Sequence, residues 1–109
     1  MMRALSVTGL LIIGFFLSVL TAYAAEAPEG RGKELFEKHC AICHQSGGNI
    51  IKPNKSLHGT DLAANGIRTA QDIVRYIRNP GSSMTKFDAQ TIPDKEATEI
   101  AEFILKTFW

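Results

Sequence analysis

Residues 40–44 read Cys-Ala-Ile-Cys-His, and no other five positions restrict this chain so much. Cys40 and Cys43 are its only cysteines, three apart, and His44 stands directly behind the second. Three chemistries compete for such a cluster. The thiols can form a reversible disulfide, supply half of a metal site, or bond covalently to a cofactor while the histidine does something else. Each demands different surroundings, so the rest of the chain has to choose.

The first two dozen residues differ from the remainder of the chain. Arg3 is the only charge before Glu26, and the run from Leu5 to Leu20 is almost continuously apolar. Ala22 and Ala24 then offer the small-residue pattern of a signal-peptidase site, with Ala25 and Ala27 as a second choice. The apolar run falls short of the roughly 20 residues that span a bilayer, so a cleaved leader over 1–24 is expected rather than a membrane anchor. No cysteine lies near the cleavage point, which argues against a lipid anchor. The expected product is one exported domain, residues 25–109, in a compartment where a simple cysteine pair would oxidise. A CxxC disulfide closes too small a loop to contribute much stability, so a domain this short needs another source of cohesion.

The expected domain reads as helical. Leu35, Phe36, His39, Cys40 and Cys43 fall at helical spacings, predicting a helix from about Gly32 to Cys43. Thr69 followed by Asp72 is an N-cap pattern, and Ala70, Ile73, Val74 and Ile77 form an apolar face that Asn79-Pro80-Gly81 ends. A third helix is expected from about Pro93, with Asp94 and Glu96 in its first turn. Its stripe is Ala97, Ile100, Ala101, Ile104 and Phe108. No strand pattern is present. Between the first two helices, Gln45 to Arg68 is irregular and rich in turn residues, with one helical turn expected around Asp61–Ala64. So long a connection in so small a domain calls for a task, and wrapping a large flat cofactor is one.

A thioredoxin-like switch needs a strand leading into the CxxC, and none is predicted. A structural zinc site needs four ligands; His39, His44 and His58 could complete one, although the spacing matches no common zinc module. The third chemistry is c-type haem attachment. Both thiols add across the haem vinyl groups, and the adjacent histidine is carried under the ring to bind iron. This reading alone requires His44 directly after Cys43, and it supplies both crosslinks and apolar area. For the sixth iron position the candidates are Met84, His58 or an open site. His39 shares a helix with Cys40, which keeps it from the opposite haem face. Met84 stands in a polar loop of Gly81, Ser82, Ser83 and Thr85, where a methionine has little core to fill.

With these residues in hand, the sequence resembles the small class I cytochromes c, most closely the c6-like monohaem cytochromes, including those of metal-reducing bacteria. The resemblance rests on Gly32-Lys33 with Phe36, CAICH, GGNIIKPNKSL, ANGIRT, YIRNPG and Met84 with Phe87. It implies an all-α class I cytochrome c fold, three main helices plus short helical turns wrapped around one covalent haem c. It assigns the thioethers to Cys40 and Cys43, the proximal iron ligand to His44 and the distal ligand to Met84. Gly32, Phe36 and Phe103 correspond to the close crossing of first and last helices. Asn49, Lys52 and Lys55 resemble positions lining the haem pocket. Where relatives commonly have Met-Pro-Ala-Phe, this chain has Met84-Thr85-Lys86-Phe87, a less stiff loop; where photosynthetic members often have glutamine, it has Tyr76.

The implied function is single-electron transfer in the periplasm by a monomer that docks transiently with redox proteins at the haem edge. The alternative is a ligand-binding, redox-sensing or peroxidase-like haem protein with a labile sixth position. No arrangement for hydrolytic or phosphoryl chemistry is present. The proximal histidine's second nitrogen is expected to donate to a carbonyl, with Pro53 in the loop best placed to offer or neighbour it. The formal charge of the full chain is +1, but residues 50–87 carry six basic side chains against Asp61 and Asp72, a net of +4. Nothing resembles a nucleic-acid surface; the pattern fits steering toward an acidic partner.

Overall fold

The structure, a computed structural model, describes residues 28–109. The leader and its cleavage after Ala24 or Ala27 lie outside the described residues. Five helices run in order: α1 Pro28–His39, α2 Ala41–His44, α3 Gly59–Ala64, α4 Ala70–Arg78 and α5 Asp94–Phe108, with 3₁₀ turns at Gln45–Gly47 and Pro53–Lys55. Among the described residues there is no strand.

The expected first helix is present but broken. It begins at Pro28 and stops at His39, because Cys40 adopts φ −119°, ψ −36°. Hydrogen bonds from Cys40 N–H to Phe36 O (2.8 Å) and from His44 N–H to Cys40 O (3.0 Å) carry the ladder across the joint. The break is therefore local to Cys40, and both Cys40 and His44 are buried. Farther on, the single turn expected at Asp61–Ala64 is a six-residue helix beginning at Gly59.

Helix α4 starts as its sequence predicts. Asp72 N–H donates to the Thr69 hydroxyl at 3.1 Å, and the Asp72 carboxylate accepts from the amides of Arg68 and Thr69, each at 3.0 Å. Those amides, led by that of Arg68, hold the Asp72 carboxyl below the usual carboxylate range. In α5, Pro93 takes the capping position outside the helix rather than its first turn.

The core gathers Leu35 and Phe36 from α1, Leu62 from α3, Ile73 and Ile77 from α4, and Ala97, Ile100, Ala101 and Ile104 from α5. These last six are residues of the two predicted apolar stripes. Ile92, in no periodic segment, is fully buried with Ile67 beside the same core. Helices α1 and α5 cross at Gly32, where an added Cβ would lie 2.4 Å from the Glu99 carbonyl oxygen. Closeness there stacks Phe36 against Phe103 with ring centroids 5.3 Å apart, and Phe108 closes the cluster at 5.5 Å from Phe36. Arg31 adds a link between the same helices, 2.9 Å from Glu96. The two long helices thus form a back, α4 packs on α5, and loops help to line a cleft in front.

Candidate functional site

The cleft encloses about 1240 Å³ of empty space, counting its mouth. Its floor is aliphatic: Leu62, Ile67, Ile73, Ile77, Ile92 and Ile100. Cys40, Cys43, His44 and Met84 all line it, so the structure brings together the four residues that the sequence singles out.

Both cysteines are free thiols, Cys40 buried and Cys43 half-buried. Burial pushes the Cys40 thiol up to about 11, because a thiolate there would lose its hydration without a compensating charge. A neutral sulfur is the form this pocket favours, and a thioether is neutral.

His44 is 8% exposed, and its Nδ1 lies 2.8 Å from the Gly48 carbonyl oxygen. A carbonyl can only accept, so the proton sits on Nδ1 and the Nε2 lone pair is left for a metal. The expected acceptor near Pro53 is corrected here: Gly48, four residues from the histidine, supplies it. Sequence carries little signal for this, since the acceptor is backbone and is placed by two consecutive positive-φ residues, Ser46 (55°) and Gly47 (78°). Gly47 is needed on a second count, because a Cβ there would meet the Phe108 ring at 2.6 Å. Its carbonyl also accepts from Leu57 N–H at 2.7 Å.

Asn49 organises the next turn. Its Oδ1 accepts from the amides of Ile51 (2.9 Å) and Lys52 (2.8 Å), and its Nδ2 donates to Lys55 O at 3.0 Å. Asn49 and Lys55 line the cleft, as expected, while Lys52 is exposed beside it.

Met84, half-buried, comes from the loop between α4 and α5. His58, its rival as a ligand, is exposed outside the cleft with its ring 6.2 Å from Phe108. His39 does line the cleft, at the end of α1, with its ring 6.0 Å from that of Phe87. Among the described residues no three His, Cys, Asp or Glu side chains cluster to hold a metal ion, so the zinc reading loses its remaining ligands. The donor set that is present fits a c-type haem: two free thiols, an oriented imidazole and a thioether around an apolar slot. The walls that sequence patterns do not mark are Leu62, Ile67 and Ile92, whose short apolar segments lack periodicity.

Comparison with known proteins agrees. The sequence profile of the family described as cytochrome C oxidase, cbb3-type, subunit III matches residues 27–104. Cytochrome c6 of Synechocystis sp. is 37% identical over 92 residues, covering 84% of this chain and 74% of that protein. Among solved structures, OmcF, the outer membrane cytochrome F of Geobacter sulfurreducens, superposes with a TM-score of 0.70 at 46% identity, over 72% of this chain and 99% of that one. Cytochrome c6C of Synechococcus sp. PCC 7002 does so with a TM-score of 0.67 at 27% identity, over 72% and 94%. The chain belongs to the c6-like monohaem class I cytochromes, haem-based electron carriers with one covalently bound c-type haem.

Proposed function

We propose that this protein is an exported single-electron carrier in which Cys40 and Cys43 hold haem c as thioethers, His44 is the proximal iron ligand and Met84 the distal one. The observation that carries this reading is the His44–Gly48 hydrogen bond beside both thiols in an apolar cleft that Met84 also lines. Bound haem supplies the reversible ferric/ferrous couple. The chain's part is to hold it still. The Gly48 carbonyl fixes the His44 ring and strengthens its nitrogen donor. The Met84 thioether, a weak and soft donor, favours the ferrous state and raises the potential relative to two imidazoles. The aliphatic floor excludes water, which also favours the less charged state. With His44 and Met84 both holding the iron, no position would be left on it for a substrate.

Export is supported by the charge-poor leader with its Ala-x-Ala site, and the periplasm is the compartment we assign. No helix among the described residues is long and apolar enough to cross a membrane.

Replacing Met84 tests the ligand assignment. The Met84→Ala holoprotein is expected to lose the weak near-infrared band of ferric iron–methionine, to fall in potential, and to bind carbon monoxide when reduced at least ~10-fold faster than wild type. Retention of that band by the variant would remove Met84 as the ligand, whereas a wild-type ferric protein that lacks the band and binds carbon monoxide readily when reduced would favour the ligand-binding alternative.

The lip of the cleft suggests the partner. Arg75 pairs with Asp72 and Arg78 with Asp94, but Lys52, Lys55 and Lys86 make no ion pair among the described residues. Lys55 lines the cleft together with the exposed Ile42 and Ile51, and Lys86 is next to the cleft residue Thr85. An apolar contact ringed by unpaired lysines suits a small, transient encounter with an acidic redox protein. Charge reversal at Lys52 and Lys55 should slow exchange with such a partner by ~10-fold at low ionic strength, and the difference should vanish at high salt. Stopped-flow rates that ignore ionic strength would dismiss the steering.

A further inference from the structure

The loop that carries Met84 is poorly secured along most of its length. Among the described residues, positions 80–86 make one backbone hydrogen bond, from Met84 N–H to Gly81 O at 3.3 Å, and it is internal to the loop. The residue after Met84 is Thr85, so no proline stiffens the loop beyond Pro80. What anchors the loop is its far end. Phe87 N–H donates to Ile77 O at 2.9 Å, and the Phe87 carbonyl accepts from Arg78 Nη1 at 3.1 Å. Arg78 Nη2 meanwhile donates to Asp94 Oδ1 at 2.7 Å, in the first turn of α5. Only about a fifth of the Arg78 side chain is exposed, whereas Asp94 is largely in water.

We propose that Arg78 is a positioning residue for the distal ligand: its guanidinium ties Phe87, the post at the end of the Met84 loop, to the start of α5, and thereby sets how firmly Met84 holds the iron. This rests on the reading of Met84 as distal ligand. A planar fork with several donors can serve a backbone carbonyl and a carboxylate together, which a single ammonium cannot do in the same geometry. Among the described residues the loop takes no other backbone bond from the body of the protein between Pro80 and Lys86, so motion at Phe87 passes directly to the thioether three residues earlier. The clamp therefore stiffens the loop through a contact that can be loosened without altering the ligand.

The test uses three variants of the covalently loaded protein: Arg78→Gln, Asp94→Asn and Met84→Ala. Each is read by the ferric near-infrared band, by the carbon monoxide association rate of the reduced form and by thermal melting. Arg78→Gln should weaken the band and speed carbon monoxide binding by about tenfold, as expected for losing a charge-assisted bond in a partly exposed setting. Asp94→Asn keeps the bond to Phe87 and should shift both readouts in the same direction by about threefold; it decides the matter if Arg78→Gln fails to fold. Wild-type band and binding rate in these variants, whatever their melting temperatures, would overturn the clamp and leave Arg78 a structural residue. If Met84→Ala itself keeps the band, the ligand assignment fails and takes the clamp with it. A band lost in Met84→Ala but unchanged in Arg78→Gln refutes the clamp alone.

Discussion

Replacing Cys40 and Cys43 together by serine is expected to give a chain that carries no haem through a denaturing gel and that no longer melts cooperatively. Serine hydroxyls cannot add to a vinyl group under conditions where thiols do, so no covalent bond forms. The energetic consequence is larger than two lost crosslinks. Ile73, Ile77, Ile92 and Ile100 line the cleft. Without a retained ring, the apolar walls lose the contacts it would make with them, and the cleft is left as a void or fills with water. Small domains are stable by only about 5–15 kcal/mol in total, so losing even part of these contacts is enough to melt the structure. Either single substitution leaves one thioether and should give an intermediate: haem retained on the gel at reduced yield, with a lowered melting midpoint. Haem staining and circular-dichroism melts of the three variants check this directly. Full covalent loading of the double variant would sink the assignment of both cysteines.

The second large effect is steric. Gly32→Ala should destabilise the domain by about 3 kcal/mol, near the upper end for overpacking, and lower its midpoint by roughly 15 °C. The added methyl would stand 2.4 Å from the Glu99 carbonyl oxygen and 3.0 Å from Phe103 Cβ. A carbonyl oxygen in the middle of a helix cannot rotate aside, so α1 and α5 must separate. Separation undoes the Phe36–Phe103 contact and loosens the back on which the cleft rests. Gly81→Ala is the control, since nothing lies within 4 Å of a Cβ there. It should leave the melt within about 0.5 kcal/mol of wild type. Equal melts for the two variants would show that the crossing is not tightly packed.

These two predictions differ in where their grounds become visible. The cysteine result is legible in five consecutive residues, because CxxCH demands a histidine adjacent to a thiol and no competing chemistry does. The glycine result is suggested by resemblance, and only the packed helices show which atoms would collide. Capping is another case of local legibility: Thr69 and Asp72 predict the start of α4 and make their bonds within four residues of chain. Cys40 is the opposite case. Its helical spacing predicts one continuous helix to Cys43, and the break at Cys40 goes with burial of its thiol and of the His44 ring, which no periodicity records.

The acceptor behind His44 escapes the sequence for the same reason. Pro53 marks the loop where one is expected, but the carbonyl belongs to Gly48, brought back by positive φ at Ser46 and at Gly47, which packs against the Phe108 ring. Phe108 lies some sixty positions downstream, at the end of the last helix. Arg78 is similar: in sequence it is one of six cations in a basic segment, while in the fold it is the tie between Phe87 and Asp94.

By itself, then, the sequence determined the attachment chemistry and the helical class, because each depends on neighbouring residues or on a period of 3.6. Tertiary structure alone decided that His58 stays outside the cleft while His39 lines it, that Ile92 is a wall, and which carbonyl orients His44. Those outcomes depend on which distant segments share one enclosed space, and burial, unlike helical phase, is a property of the whole packed chain.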